Sequence, residues 1–141
     1  MRKERRMIMN TKTYTTLPQE AKDIRIEVFM KEQGFENEFD KIDTISHHIV
    51  VFDEGKPIGT CRFFKENDHY TIGRVAVLKA YRNQHIGNLL LISAEKEIKK
   101  LNGDLIVVHA QVRVSPFYKK QGYIQFGQID DDEGVPHMWM K

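Results

Sequence analysis

Residues 71–91, Thr-Ile-Gly-Arg-Val-Ala-Val-Leu-Lys-Ala-Tyr-Arg-Asn-Gln-His-Ile-Gly-Asn-Leu-Leu-Leu, constrain the fold more than any other stretch of this chain. The first seven, up to Val77, are rich in β-branched residues and alternate, which predicts a strand. After a short basic loop, Ile86, Leu90, Ala94, Ile98 and Leu101 recur at helical spacing. A strand, a tight loop and a helix in that order leave the first helical N–H groups without partners, and the helix dipole adds positive potential at the same point. Anions bind there. Gly87 would let a ligand approach the backbone, and Arg82 would add a charged donor for phosphate oxygens. The loop suits a diphosphate.

Two common phosphate loops fail on spacing. A P-loop needs Lys and Ser or Thr after its last glycine, but Asn88 and Leu89 follow Gly87. A dinucleotide fingerprint needs three glycines, and only Gly87 is present in the loop. What fits is Arg/Gln-x-x-Gly-x-Gly/Ala after a Val-Ala-Val strand. On that pattern residues 82–87, Arg-Asn-Gln-His-Ile-Gly, resemble the acetyl-CoA diphosphate loop of the GNAT superfamily of N-acetyltransferases. His85 departs from it, standing where the family usually has its first glycine. If the position requires positive φ, histidine carries a cost there.

The resemblance extends over residues 12–140 and is closest to the small bacterial YjcF-like subgroup. Residues 25–35, Arg-Ile-Glu-Val-Phe-Met-Lys-Glu-Gln-Gly-Phe, resemble its Arg-x-Glu-Val-Phe-x-x-Glu-Gln-Gly helix segment. Gly59-Thr60-Cys61-Arg62 resembles its Gly-Thr-Ala-Arg strand. His109-Ala110-Gln111, Phe117-Tyr118 and Gly134-Val135-Pro136-His137-Met138-Trp139-Met140 resemble its closing half.

Composition limits the alternatives. At 141 residues the chain has room for one domain, expected over residues 10–141, with residues 1–9 as a basic, disordered upstream extension. The net charge of +2 with both signs interspersed offers no basic stripe for nucleic acid. One cysteine, Cys61, rules out an internal disulfide and suits a reducing cytoplasm. No apolar run reaches membrane-spanning length. The six histidines show no metal-ligand spacing, so no metal is expected.

Element by element, strands are expected over residues 11–16, 48–52, 58–64, 71–77, 105–110, 123–129 and 136–140. Helices are expected from Pro18 to a stop at Gly34, from the loop to Leu101 with Asn102-Gly103 as its stop, and from Ser115-Pro116 to Gly122. Residues 35–46 are charged and aperiodic and predict a loop or short helix. The fold class is α/β: a mixed twisted sheet of six to seven strands with a central splay and helices on both faces.

The resemblance implies direct attack of an amine on the acetyl-CoA thioester. An amine of pKa near 10.4 must be held neutral at pH 7, at a cost of about 4 to 5 kcal/mol unless a base or a desolvated site helps. It also implies that the main chain of Val75, Ala76 and Val77 polarises the carbonyl and pairs with the pantetheine arm. Arg82, Asn83, Gln84, His85, Ile86, Gly87 and Asn88 would then hold the diphosphate, with Ser115, Phe117 and Tyr118 completing the cofactor side. Tyr118 matches the family's general acid: a phenol of pKa about 10 stays protonated at neutral pH and can protonate a thiolate. The glutamate that many relatives carry on the central strand corresponds to Thr71, which is no base. Glu32 and His109 are the candidates for the base or the acceptor side, with Arg62 as a further acceptor-side contact. Each stands against a plain structural role. The acidic run 130–133 reads as a solvated hairpin tip.

The expected function is therefore a cytoplasmic N-acetyltransferase acting on a small primary amine in a ternary complex, with a homodimer through the closing strands as the expected assembly. A non-catalytic acyl-CoA-binding regulator is the alternative, motivated by His85 and the missing strand carboxylate. A nucleotide-binding protein without preference for CoA is the third reading.

Overall fold

Alternating apolar residues in the first half of the chain form four strands, each antiparallel to the next: β1 (Met9–Tyr14), β2 (His47–Asp53), β3 (Lys56–Glu66) and β4 (His69–Val77). Glu54 and Gly55, both at positive φ (49° and 82°), form the two-residue turn between β2 and β3, which matches the twist of a hairpin. This computed structural model describes residues 8–141. Most of the expected extension over residues 1–9 lies outside the described range, but Met9 already belongs to β1.

Ile49 and Val51 join one apolar cluster and Val50 and Phe52 the other, so the sheet needs cover on both faces. One cover is α1 (Gln19–Arg25), which continues into a π-helical segment, Ile26–Glu32, rather than running on as one regular helix. Its Ala21, Ile24, Val28 and Phe29 pack against Val50, Phe52 and Ala76. The other cover is α2 (Ile86–Lys100), which buries Ile86, Leu90, Leu91, Ala94 and Ile98. Asn102 at φ 63° ends α2, with the Asn102 N–H bonded to Lys99 O and the Gly103 N–H to Ile98 O. A Cβ on Gly103 would lie 2.5 Å from Ile98 and 2.6 Å from Tyr70, so the stop doubles as a packing contact.

The chain returns as β5 (Ile106–Gln111), parallel to β4, then α3 (Ser115–Lys120), β6 (Gln125–Asp132) and β7 (Val135–Met140). β7 inserts between β5 and β6, giving the order β1-β2-β3-β4-β5-β7-β6. The helix expected from Ser115-Pro116 has Ser115 as its first helical residue, 5% exposed, and Val114, the last residue of a 3-10 turn Val112–Val114, holds the cap position.

Residues 35–46 form a loop with one short 3-10 turn, as expected, but buried charges anchor it. Arg25, Glu38, Asp43 and Arg62 are each 6% exposed or less and form one ion-paired cluster. Arg25 Nε lies 2.8 Å from Glu38 Oε1 and Arg25 Nη1 2.8 Å from Asp43 Oδ1; Arg62 Nη1 reaches Asp40 Oδ1 at 2.6 Å and Asp43 Oδ1 at 2.8 Å. A capping box from Asp40 and Asp43 starts the 3-10 turn Lys41–Thr44 within the same cluster. These bonds hold the segment against the sheet beside the opening described next.

Candidate active site

The parallel pairing of β4 with β5 stops after Ile72 and Val108. Beyond that point β4 runs on with β3 and β5 with β7, so the two central strands diverge as expected. A bulge drives the divergence. Cys61 of β3 faces both Arg74 and Val75, between the pairs Thr60–Ala76 and Arg62–Gly73, and Arg74 sits at φ 51°. A left-handed non-glycine residue inside a strand stores strain of about 1 to 3 kcal/mol, and such strain gathers at functional sites.

A cavity fills the splay. Gly73, Arg74 and Val75 form one wall, His109, Ala110 and Gln111 the other, and Tyr118 reaches it from α3. Gln33 and Glu38 approach from the α1 side, and the hairpin tip closes over it with Glu133 and His137. Glu133 accepts hydrogen bonds from the backbone N–H groups of Glu36 (3.1 Å) and Asn37 (3.4 Å). The acidic run is therefore no free tip: β6 extends through Asp132, Glu133 and Gly134 make the turn at φ 50° and 82°, and the turn is tied to the ion-paired segment.

Tyr118 is 8% exposed, both part of the core and part of the cavity wall. Burial first, and then the neighbouring Cys61 thiol, push its hydroxyl above the usual phenol range, so it carries its proton at neutral pH. Cys61 itself is buried and burial raises its thiol to about 12, which makes it inert as a nucleophile.

The basic loop begins with a 3-10 turn, Lys79–Tyr81, and runs exposed through Asn83, Gln84 and His85 into α2. Its conformation requires two left-handed residues, Asn83 and His85, both at φ 62°. The position where relatives carry glycine does need positive φ, and histidine occupies it. The first intrahelical bond of α2 comes from Leu89 N to His85 O, with no side-chain cap, so the N–H groups of Ile86, Gly87 and Asn88 are the orphan donors of the helix start. Gly87 has a reason other than ligand approach. A Cβ there would meet the Phe117 ring at 3.1 Å, so Phe117 of α3 packs directly on the first turn of α2.

Three expected residues sit differently from their assignments. Glu32 is drawn to the basic loop, not the acceptor side: its carboxylate grips Arg82 at 2.6 and 2.8 Å, and that hydrogen bond holds its pKa below the usual range. Arg82 also donates from Nε to Val77 O at 3.0 Å, so in this state its guanidinium braces the loop against β4 and the end of the first helix. Arg62 is 4% exposed and bound to Asp40 and Asp43, out of reach of an acceptor. Thr71 is buried and paired with Val107 below the splay, and the β4 side chain in the cavity wall is Arg74, whose Nε is 3.0 Å from Glu38 Oε1. His109 does line the cavity, with Nε2 2.7 Å from Asp130 Oδ1 and its ring stacked on Trp139 at 4.4 Å.

Among the cavity residues left unassigned in the sequence, Glu38 and His137 bear most on the chemistry. Glu38 lay in the charged stretch read as a loop or short helix, and its long-range pairing with Arg25 and Arg74 explains its burial. Burial raises its pKa, against the opposing pull of Arg74 and Arg25. His137 was visible in the Val-Pro-His-x-x-Met motif but had no role until β7 was placed beside β5.

A strand splay at a bulge, an open helix start beside it and a buried phenol between them define the acetyl-CoA-dependent N-acyltransferase class of fold. The Acetyltransferase (GNAT) domain family matches residues 14–141, and the chain belongs to that family. It is 35% identical over 120 residues to the uncharacterized N-acetyltransferase YjcF of Bacillus subtilis, covering 83% of this chain and 86% of that one. The fold is shared with an acyl-CoA N-acyltransferase from Pseudomonas aeruginosa (TM-score 0.82, 22% identity, 96% of this chain and 98% of that one). Escherichia coli ElaA shares it equally (TM-score 0.82, 23% identity, the same coverage). The chain is thus an acetyltransferase. Among the described residues no helix is long and apolar enough to cross a membrane, and no group of three or more His, Cys, Asp or Glu is placed to hold a metal ion.

Proposed function

We propose that the protein transfers the acetyl group of acetyl-CoA to a small primary amine by direct attack within a ternary complex. One observation carries this reading: a single cavity through the splay joins the free main-chain edge of Gly73, Arg74 and Val75 to Tyr118 on one side and to the polar wall of His109, Gln111 and Glu38 on the other. The N–H groups of Ile86, Gly87 and Asn88, with Asn83, Gln84 and His85 around them, hold the diphosphate. The strand edge from Val75 to Val77 pairs with the pantetheine arm and polarises the thioester carbonyl. Phe117 fixes the start of α2 against α3, and Ser115 starts the helix that presents Tyr118. The Tyr118 hydroxyl protonates the departing thiolate. His109 stays on the acceptor wall, whereas Glu32 acts on the cofactor side through Arg82.

The test is thiol release from acetyl-CoA with and without a panel of primary amines. Release is expected only with amine, one N-acetyl product per thiol. Tyr118→Phe is expected to lower kcat about 100-fold while CoA affinity stays within about twofold. CoA binding without amine-dependent release would favour a regulatory role, and Tyr118→Phe turning over normally would remove Tyr118 from the chemistry.

A further inference from the structure

Strand alternation sorts the residues around the splay. Val108, Ala110 and Met138 pack into the cluster under α2, so His109 and Gln111 of β5 and His137 of β7 project on the opposite face, where α1 lies. His137 is the register partner of Gln111, the last residue of β5 before the chain leaves the sheet. It is 6% exposed and lines the cavity with Tyr118.

The tautomer of its neutral ring follows from one bond. Nδ1 lies 2.8 Å from Val135 O, and a carbonyl oxygen can only accept, so Nδ1 carries the hydrogen. In the neutral ring Nε2 then keeps a lone pair, and among the described residues no hydrogen bond uses it. The other candidates are committed elsewhere. His109 turns Nε2 across β7 to Asp130 on β6, away from β4, and its ring is stacked on Trp139 (4.4 Å) and tilted against His137 (4.8 Å). Glu38 is tied to Arg25 and Arg74, and Glu32 to Arg82.

We infer that His137 is the acceptor-side base, taking the proton of the attacking ammonium at Nε2; this rests on the small-amine reading above. Loss of that proton frees the nitrogen lone pair, which forms the N–C bond. As the C–S bond breaks, its electron pair leaves on sulfur, which takes the Tyr118 proton. The second nitrogen proton restores the phenol, and His137 returns its own proton to solvent. β7 thus carries a catalytic residue close to the hairpin turn, and the Glu133 bonds to Glu36 and Asn37 keep that turn over the cavity.

The test compares His137→Asn, whose amide can still donate to Val135 O, with His109→Gln, whose amide can still reach Asp130. Ethanolamine, spermidine and glucosamine serve as acceptors across pH 6 to 10. Asp130, Asp132, Glu133, Glu38, Arg74, His109 and Tyr118 face His137 and also shape its profile, so the readout is the ratio of variant to unaltered protein at each pH. His137→Asn is expected to lower kcat/KM about 100-fold at pH 7. The defect should shrink at least tenfold toward pH 10, where the amine loses its proton unaided, with melting temperature and CoA affinity unchanged. A loss independent of pH, or a pH-dependent loss in His109→Gln and not in His137→Asn, overturns the assignment. Absence of thiol release by the unaltered protein with every amine removes the small-amine reading itself, and this inference with it.

Discussion

His85 shows how a single side chain can sit at a position that favours glycine. Its φ of 62° is left-handed, a conformation that costs an ordinary residue about 1 to 2 kcal/mol but that histidine visits more readily than most. Glycine would relieve that strain but add about as much unfolded-chain entropy. His85→Gly is therefore expected to shift Tm by less than about 3 °C, whereas β-branched His85→Val lowers it by more and weakens CoA binding; thermal melts and calorimetry check both. Glu32 makes a second residue-scale prediction. Its charge sits beside the proposed diphosphate site and neutralises Arg82, so Glu32→Gln should tighten CoA a few-fold and leave the acid limb of the pH profile unmoved. Weaker binding would mean that Glu32 positions Arg82 for the phosphates instead.

Elements formed mainly by local preference are those the sequence shows well. The β2–β3 hairpin follows from Glu54-Gly55, and α2 from its periodic apolar face and its Asn102-Gly103 stop. β6 was harder to see. Asp130, Asp131 and Asp132 have poor strand preference, and they extend only because β7 pairs with them and because an acidic outer strand resists further pairing. The π-helical segment has no sequence signal that separates it from an ordinary turn. The buried charges of segment 35–46 were not legible, because ion pairs reaching across 13 to 36 residues leave no local period. Those pairs predict an acid sensitivity. Burial alone would raise the Asp43 pKa, but the Arg25 and Arg62 hydrogen bonds outweigh it and hold it at about 2, below its usual 3.8. A folded pKa below the unfolded one means stability present above about pH 4 and lost as pH falls toward 2, about 2 kcal/mol in all. Glu38 has the opposite sign, since a raised pKa disfavours the fold above that value and the penalty lifts on acidification. Asp43→Asn should remove most of the loss below pH 4 in an acid titration followed by circular dichroism, while lowering stability at pH 7.

At the scale of the whole molecule, the two faces of the sheet divide the work. The face under α2 and α3 carries the helix start and Tyr118, the face under α1 carries the ion-paired segment and the histidines, and the splay connects them. The loop and helix start proposed to hold the diphosphate were visible in the sequence because they are contiguous there. The rest of the cavity wall was not, because Glu38, Arg74, Glu133 and His137 come from four separate segments that only the completed sheet brings together. Gly87 links the halves of the cofactor side: Gly87→Ala forces Phe117 off the first turn of α2 and should raise the CoA Kd by calorimetry, more than it lowers Tm. The central claim is tested most directly by a crystal structure with acetyl-CoA bound. It should show the diphosphate on the N–H groups of Ile86, Gly87 and Asn88 and the thioester sulfur within hydrogen-bond reach of the Tyr118 hydroxyl. A diphosphate bound elsewhere, or a thioester outside the splay between β4 and β5, would contradict it.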